Sequence, residues 1–146
     1  MIGKTYDELT VGDSDRFSKT VTDTDIYLFA GVTGDLNPAH IDEEYAKGTF
    51  FKQRIAHGML SAGFISAVIG TRLPGPGAIY MQQTLNFKAP VRIGDTVTAR
   101  VEVTELSERG HRVKLHCTCE VDGTLVLEGE ALVKVPTRAE ADRIGS

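Results

Sequence analysis

A carboxylate, an amide and an imidazole lie within seven residues, in the stretch Gly-Asp-Leu-Asn-Pro-Ala-His at 34–40. Pro38 lacks a backbone N–H and disfavours helical geometry at Asn37, so no regular helix is expected to run through this stretch. Asp35 and His40 are therefore predicted to lie on a bent connection from which both side chains can reach one small molecule. Water is the molecule that suits them, because one group can take a proton from it and the pair can return one.

A second polar stretch, His57-Gly58, follows 17 residues after His40 and opens the most apolar helix of the chain. The first N–H groups of a helix have no partner within it, and glycine lets a substrate oxygen approach them closely. Gly58 is therefore predicted to offer an oxyanion site. Ala62 and Ser66 follow at four-residue steps and share a helix face with Gly58. An acyl group or a strand is expected against that face, where Ser66 can bond substrate, catalytic water or its own helix.

Each of these residues also has a purely structural interpretation. Asp35 can close a turn, His40 can be a surface imidazole, and Gly58 can be an ordinary helix start. His57 can be a buried, hydrogen-bonded histidine, or it can bind a metal together with Asp35, His40 and Asp42. No HxxxH or HExxH spacing supports a metal, so none is predicted. GxSxG and GxGxxG motifs are absent as well, which argues against a serine hydrolase and a nucleotide site.

Hydrophobic periodicity predicts the elements that position these residues. A helix is expected from a cap at Thr22 or Asp23 to Gly34, and one or two short helical turns over 41–51. The segment before the first helix can supply an edge strand. Residues 58–70 carry no charge, and a helix that is apolar on every side must be buried on every side.

The second half of the chain is predicted to form the sheet that buries this helix. Apolar residues alternate with polar ones over 79–87, 97–103 and 113–121, which is typical of antiparallel strands with one apolar face. Asp122-Gly123 is predicted to form a tight hairpin turn into a strand over 125–135. One long central helix followed by four antiparallel strands indicates an α+β domain, with a frayed charged tail after about residue 136.

Composition limits the classes of function. Sixteen basic and 20 acidic residues give a net charge of −4 and a pI near 5.5, which argues against a nucleic-acid partner. No secretory signal is seen, and residues 58–71 are shorter than the roughly 20 needed to cross a bilayer. A cytoplasmic protein of one domain over 1–146, without a membrane partner, is expected. Cys117 and Cys119 are poorly placed to bridge each other, since both should point to the same face of one strand.

Two stretches resemble the hydratase signature of MaoC-type dehydratases: Gly-Asp-Leu-Asn-Pro-Ala-His-Ile-Asp at 34–42 and Arg-Ile-Ala-His-Gly-Met-Leu-Ser at 54–61. Later segments, Leu-Pro-Gly-Pro-Gly-Ala-Ile-Tyr at 73–80 and Asn-Phe-Lys-Ala-Pro-Val-Arg-Ile-Gly-Asp-Thr-Val at 86–97, are similar to the same family. The resemblance extends from about residue 17 to 136. It is strongest to the short, single-domain (R)-specific enoyl-CoA hydratases.

The resemblance implies a hot-dog fold, in which the sheet wraps the helix, and a homodimer or a dimer of dimers. It implies addition of water to a trans-2-enoyl-CoA to give the (R)-3-hydroxyacyl-CoA, without a cofactor. Asp35 and His40 would hold the water, Asn37 would orient the water or His40, the Gly58 N–H would bind the thioester oxygen, and Ser66 would lie near the site. The residues expected to contact substrate are His57, Gly58 and Ala62.

Other functions stay open at this point. A hot-dog thioesterase would share the fold and hydrolyse the acyl-CoA, although it would lack the Asp-x-Asn-Pro-x-His stretch. A MaoC-type dehydratase could act on another 3-hydroxyacyl thioester, and a non-catalytic module could only bind acyl-CoA. The sequence does not decide whether Asp35 or His40 is the base. It also leaves open the length of the acyl chain and the pathway that the product enters.

Overall fold

The computed structural model describes residues 1–144. After a short 3-10 helix at Tyr6–Glu8, the helices are α1 (Asp23–Thr33), α2 (Pro38–Ile41), α3 (Glu43–Lys47), α4 (Gly58–Thr71) and α5 (Arg138–Ile144). The strands are β1 (Ser14–Thr20), β2 (Ile79–Gln83), β3 (Asn86–Phe87), β4 (Thr96–Ser107), β5 (Arg112–Val121) and β6 (Thr124–Lys134).

The sheet is antiparallel with strand order β1-β4-β5-β6-β2, and β3 pairs with β6 at its side. Helix α4 packs on one face of this sheet, against β1, β4, β5 and β6. This is the predicted α+β hot-dog arrangement. Its core comes from alternate, almost fully buried residues of β4 and β5. Ala99, Val101 and Val103 lie opposite Cys119, Cys117 and Leu115 in register, and Val97 is buried beyond them on β4.

Local signals fixed several boundaries as predicted. Thr22 caps α1 by accepting a hydrogen bond from the N–H of Asp25, and the Asp25 carboxylate completes a capping box. Gly34 ends α1 in the left-handed region, with a φ of 80°. Strand β1 forms a sheet edge on β4. Asp122 and Gly123 both have positive φ, as a two-residue hairpin turn between β5 and β6 requires.

The predicted continuous strand over 79–87 is wrong. It splits into β2 and β3, and a register shift between Tyr80 and Gln82 reverses the alternation of faces. Between the two strands, the carbonyl oxygen of Thr84 lies so close to Gly129 of β6 that a Cβ there would clash with it. Only a glycine on β6 permits this close backbone approach, a tertiary requirement that the period-two pattern of 79–87 does not show.

The expectation that α4 is buried on every side is also wrong within one chain. Phe64, Ile65 and Val68 are buried against the sheet. The opposite face, which carries Gly63 and Ser66, is exposed. Small residues dominate that face, so it offers little apolar surface to bury. The absence of charge along the whole helix therefore led us to overestimate how much of α4 the sheet covers.

The charged tail does not fray over the residues that the structure describes. Residues 138–144 form α5, while Gly145 and Ser146 lie outside the described residues. The Arg138 N–H donates to the Asp7 carboxylate at 2.6 Å, its guanidinium donates to Glu8 at 2.6 Å, and Ala141 is buried. These contacts join the last helix to the first turn of the chain, and no local sequence signal announces them.

Both cysteines are free and buried, as their same-face placement predicted. Among the helices within residues 1–144, none has the length and apolar character needed to cross a bilayer.

Candidate active site

Asp35 follows directly on the left-handed Gly34 that ends α1. Its Oδ1 accepts a hydrogen bond from the N–H of Asn37 at 3.2 Å, which closes an Asx turn. The turn reverses the chain and leaves the second carboxylate oxygen without a hydrogen bond from any described residue. Asp35 therefore closes a turn, as its structural interpretation held, and also keeps an oxygen for another partner.

Asn37 caps the next helix, since its Oδ1 accepts from the N–H of Ala39 at 3.0 Å. Pro38 is the first residue of α2, where its missing N–H costs nothing. His40 therefore lies in a one-turn helix, and the predicted irregular connection is confined to the residues before Pro38. Asn37 acts on His40 through this helix start; no direct bond joins the amide to the imidazole ring within residues 1–144.

The structure brings Asp35, His40 and His57 together. One carboxylate oxygen and one ring nitrogen from each histidine all lie within 4.8 Å of one another. A water oxygen that makes two hydrogen bonds of about 2.8 Å can bridge two atoms that are 4.8 Å apart. A single water can thus contact Asp35 and His40 together, which is the juxtaposition that the spacing of the two residues predicted.

The ring of His40 is held in one tautomer. Its Nδ1 lies 2.7 Å from the backbone carbonyl oxygen of Ile55, and because a carbonyl only accepts, Nδ1 carries the proton. Nε2 is left as the acceptor nitrogen. Burial lowers the pKa of His40 below its usual value, and neighbouring His57 lowers it further, although the Ile55 carbonyl and Asp35 oppose the shift. Neutral imidazole with a free Nε2 lone pair is the form that can take a proton at neutral pH.

His57 positions the other two residues. It is 2% exposed, and its Nε2–H donates to the backbone carbonyl oxygen of Asp35 at 3.0 Å. Its ring stacks on His40 with centroids 3.9 Å apart and also packs on Phe29. Its buried Nδ1 has no hydrogen-bond partner in the described part of the chain. His57 therefore fits the buried, hydrogen-bonded interpretation, while its ring also lines a cavity beside Gly58.

Gly58 is the first residue of α4, and His57 offers its helix start no side-chain cap. The N–H of Gly58 makes no hydrogen bond to any residue from 1 to 144, so it is free for a ligand oxygen. The ring of Phe87 lies directly over the glycine: a Cβ on Gly58 would be 2.6 Å from Phe87 Cε1. A side chain at this position would therefore require the Phe87 ring to move away from the helix start.

Two cavities meet at this site. The first, of about 560 Å³, is lined by His40, His57 and Gly58 together with apolar side chains and Lys88. The second, of about 570 Å³, is lined by Asp35, Ala62 and Ser66 among others. The small-residue face of α4 therefore borders a cavity, whose lining also includes Tyr80 and Gln83 of β2. The Ser66 hydroxyl makes no hydrogen bond in the described chain, so, of the alternatives considered from the sequence, the bond back to its own helix is not formed.

Arg54 is a site residue that periodicity did not single out. It is 9% exposed, its Nε donates to the backbone carbonyl oxygen of His40 at 2.6 Å, and its other arm forms a 2.7 Å ion pair with Asp23. It lies over the ring of Tyr27. An arginine in a segment of mixed polarity carries no periodic signal. Its place in the Arg-Ile-Ala-His-Gly stretch was the only hint.

Replacement of Arg54 by alanine is expected to lower kcat about 10- to 100-fold through misplacement of His40, with a smaller change in KM. Loss of the buried bond to the His40 carbonyl should also lower the free energy of unfolding by about 1.5–3 kcal/mol. Steady-state kinetics and urea unfolding measure the two effects. Arg100→Ala, at an exposed arginine of β4, is the control and should change neither. A destabilised Arg54→Ala enzyme with normal kcat would show that Arg54 supports the fold alone.

The same cluster is the only group of potential metal ligands found among residues 1–144. Asp42, considered from the sequence as a further ligand, does not belong to it, because its carboxylate caps α3 at the N–H of Tyr45. Two of the four histidine nitrogens, Nδ1 of His40 and Nε2 of His57, are already bonded to carbonyl oxygens. The donor set is therefore one carboxylate and two imidazole nitrogens.

The chain matches known proteins along most of its length. The family model described as "MaoC like domain" matches residues 9–124. The (R)-specific enoyl-CoA hydratase of Rhodospirillum rubrum is 61% identical over 133 residues, or 91% of this chain and 92% of that relative. The 3-hydroxybutyryl-CoA dehydratase of Methylorubrum extorquens is 55% identical over 137 residues, or 94% and 87% of the two chains. The unliganded R-hydratase PhaJ1 of Pseudomonas aeruginosa has a TM-score of 0.88 at 44% identity, covering 93% of this chain and 88% of that chain.

Proposed function

The chain belongs to the MaoC-like domain family, and from this membership we propose that it is an (R)-specific enoyl-CoA hydratase. It is a hydro-lyase that adds water to a trans-2-enoyl-CoA and gives the (R)-3-hydroxyacyl-CoA. The observation that carries the proposal is the cluster at the end of α1: a carboxylate and an imidazole nitrogen within 4.8 Å of each other, beside a free helix N-terminus.

Hydration needs three groups, and the site supplies each of them. A base must take a proton from water, an acid must give a proton to C2, and a donor must stabilise negative charge on the thioester oxygen. The Gly58 N–H is the donor. Asp35 and His40 together hold the water, and no cofactor is required for this chemistry.

His40 is the base in this scheme. Its Nε2 takes one proton from the water as the water oxygen bonds to C3 and the C2–C3 π electrons shift toward the thioester oxygen. Asp35 accepts a hydrogen bond from the second O–H of the water, which stays on the oxygen as the product hydroxyl, and the carboxylate charge stabilises the imidazolium. When the thioester carbonyl reforms, Nε2 returns its proton to C2, so the same two residues complete the addition with no proton gained or lost.

Assembly is proposed to be a homodimer with one hot-dog domain in each chain. Large apolar side chains are exposed on α4 and on edge strand β2, with Met59, Ile79 and Met81 each 45–60% exposed. Patches of this kind mark protein interfaces. Sedimentation at about twice the 15.8 kDa chain mass would support the dimer, and sedimentation as a monomer would reject it. A cytoplasmic location stays a prediction, with which the two free thiols agree.

The function is tested with crotonyl-CoA as substrate. Loss of the enoyl absorbance, with chiral analysis showing (R)-3-hydroxybutyryl-CoA, is the expected result. Release of free CoA thiol would instead identify a thioesterase, and binding without turnover would identify a non-catalytic module. The assay is run with EDTA present, and activity that disappears with EDTA and returns with Zn²⁺ would contradict the water-only site.

The pH dependence follows from the state of His40. Burial lowers its pKa below the usual 6.5, so the base is neutral through neutral pH and kcat/KM should be flat there. Activity should fall as the pH drops below this lowered pKa, because imidazolium cannot take a proton. The unfolded chain binds the His40 proton more readily than the folded chain, so the stability contributed by His40 should fall as the pH drops from the unfolded pKa of about 6.5 through the lowered pKa of the folded chain. Activity that rises on acidification below pH 6 would contradict this role.

A further inference from the structure

The two cavities divide the site between them. His40 and the Gly58 amide border the first cavity, whereas Asp35 and Ser66 border the second. Met59, the second residue of α4, lines both. A linear substrate that touches Gly58 and Asp35 at once must therefore pass from one cavity into the other.

If the proposed function holds, the chemistry of the thioester determines which end of the substrate lies in which cavity. The oxygen on C1 must reach the Gly58 N–H, while C3 must face the water that Asp35 and His40 hold. Sulfur is bonded to C1, so it points back into the first cavity, where Lys88 forms no ion pair with any described residue. The chain beyond C3 runs away from Gly58 and past Asp35. The acyl group therefore extends into the second cavity, along the small side chains of Ala62 and Ser66.

A polar pair from β2 lines that second cavity. Tyr80 and Gln83 lie opposite Val133 and Ala131 of β6, both fully buried, so their side chains share the helix-facing side of the sheet. The Tyr80 hydroxyl donates to the Gln83 side-chain oxygen, and the Gln83 amide in turn donates to the carbonyl oxygen of Thr84 at 2.9 Å. Burial raises the pKa of Tyr80 to about 12, so the phenol keeps its proton and its bond to Gln83.

We propose that Tyr80, tethered by Gln83, closes the acyl end of the second cavity and limits the enzyme to short enoyl-CoA substrates. A longer alkyl chain would have to push the ring aside and break the hydroxyl–amide bond. The separated polar groups would then face methylene groups with no partner, which is unfavourable. Crotonyl-CoA does not displace the Tyr80 ring, because its acyl chain ends one carbon beyond C3.

The test compares kcat/KM for crotonyl-CoA, 2-hexenoyl-CoA and 2-octenoyl-CoA in three variants. Tyr80→Ala removes the ring and should raise the octenoyl-to-crotonyl ratio of kcat/KM about tenfold or more over wild type. Tyr80→Phe keeps the ring but not the tether, and should raise the same ratio about two- to tenfold. Tyr45→Ala is the matched control: this tyrosine of α3 is 53% exposed and borders neither cavity, so the ratio should not change.

A role of Tyr80 in fold stability alone would lower all three kcat/KM values together and leave their ratio unchanged. An unchanged ratio in Tyr80→Phe and in folded Tyr80→Ala would overturn the proposal, as would a wild-type enzyme that hydrates octenoyl-CoA as well as crotonyl-CoA. A wild-type protein that hydrates none of the three substrates would instead overturn the proposed function, so the two failures can be told apart.

Discussion

His40→Ala is expected to lower kcat about 10² to 10⁴-fold, the usual effect of removing a general acid or base. In the proposed mechanism, the variant loses the Nε2 lone pair that takes the water proton and later returns it to C2. KM should change little, because the imidazole bonds the water and not the CoA portion of the substrate. Stopped-flow or steady-state loss of enoyl absorbance measures the effect.

The control for this variant is His116→Ala. His116 lies on β5, is about two-fifths exposed, and pairs with Glu128 away from both cavities. Its replacement should leave kcat within about twofold, as is usual for surface changes. Near-normal kcat in a folded His40→Ala enzyme would remove His40 from the mechanism and would leave Asp35 as the only candidate base.

Asp35→Asn is expected to lower kcat by a similar 10² to 10⁴-fold. The amide oxygen can still accept the bond from the N–H of Asn37, so the turn after α1 should survive. In the proposed mechanism, the variant loses the negative charge that stabilises imidazolium on His40 and the second acceptor for the water. Because the variant is nearly isosteric, its lost activity reports on charge and not on geometry.

Asp13→Asn provides the matched comparison for Asp35→Asn. Asp13 also closes a turn, accepting from the N–H of Thr10 at 3.0 Å, and it borders neither cavity. The double variant of Asp35 and His40 should be little slower than the worse single variant, because the two groups act on one water. If the loss of kcat in the double variant equals the product of the losses in the two single variants, the two residues act in separate steps.

The parts of the fold that the sequence predicted correctly are those with strong local signals. The alternating residues of β4 and β5 face one core, the capping box at Thr22 starts α1, and Gly34 ends it. The turn at Asp122-Gly123 needs two residues with positive φ, and few other dipeptides adopt that conformation as readily. In each case the chemistry of a few neighbouring residues determines the structure.

The errors arose where distant residues decide the outcome. The strand over 79–87 is interrupted where the Thr84 carbonyl lies against Gly129, 45 residues later in the chain. Helix α5 forms where Arg138 meets Asp7 and Glu8 at the opposite end of the sequence. No periodic pattern within either segment carries this information.

The residues of the candidate site fall into the same two groups, those with a local sequence signal and those set by distant residues. Asp35, His40 and Gly58 could be predicted, because proline, histidine and a helix start place their chemistry within short stretches. The contribution of Arg54 could not be predicted, because it depends on the backbone carbonyl of His40, 14 residues earlier, and on Asp23 of α1. The tautomer of His40 likewise depends on the Ile55 carbonyl, which only the folded chain brings within 2.7 Å.

A crystal structure of the protein with bound (R)-3-hydroxybutyryl-CoA tests the central claim most directly. The product hydroxyl marks where the water stood. Its oxygen should lie within hydrogen-bonding distance of both the Asp35 carboxylate and His40 Nε2, with the thioester oxygen on the Gly58 N–H. A product bound with its hydroxyl away from either side chain would contradict a water shared between them.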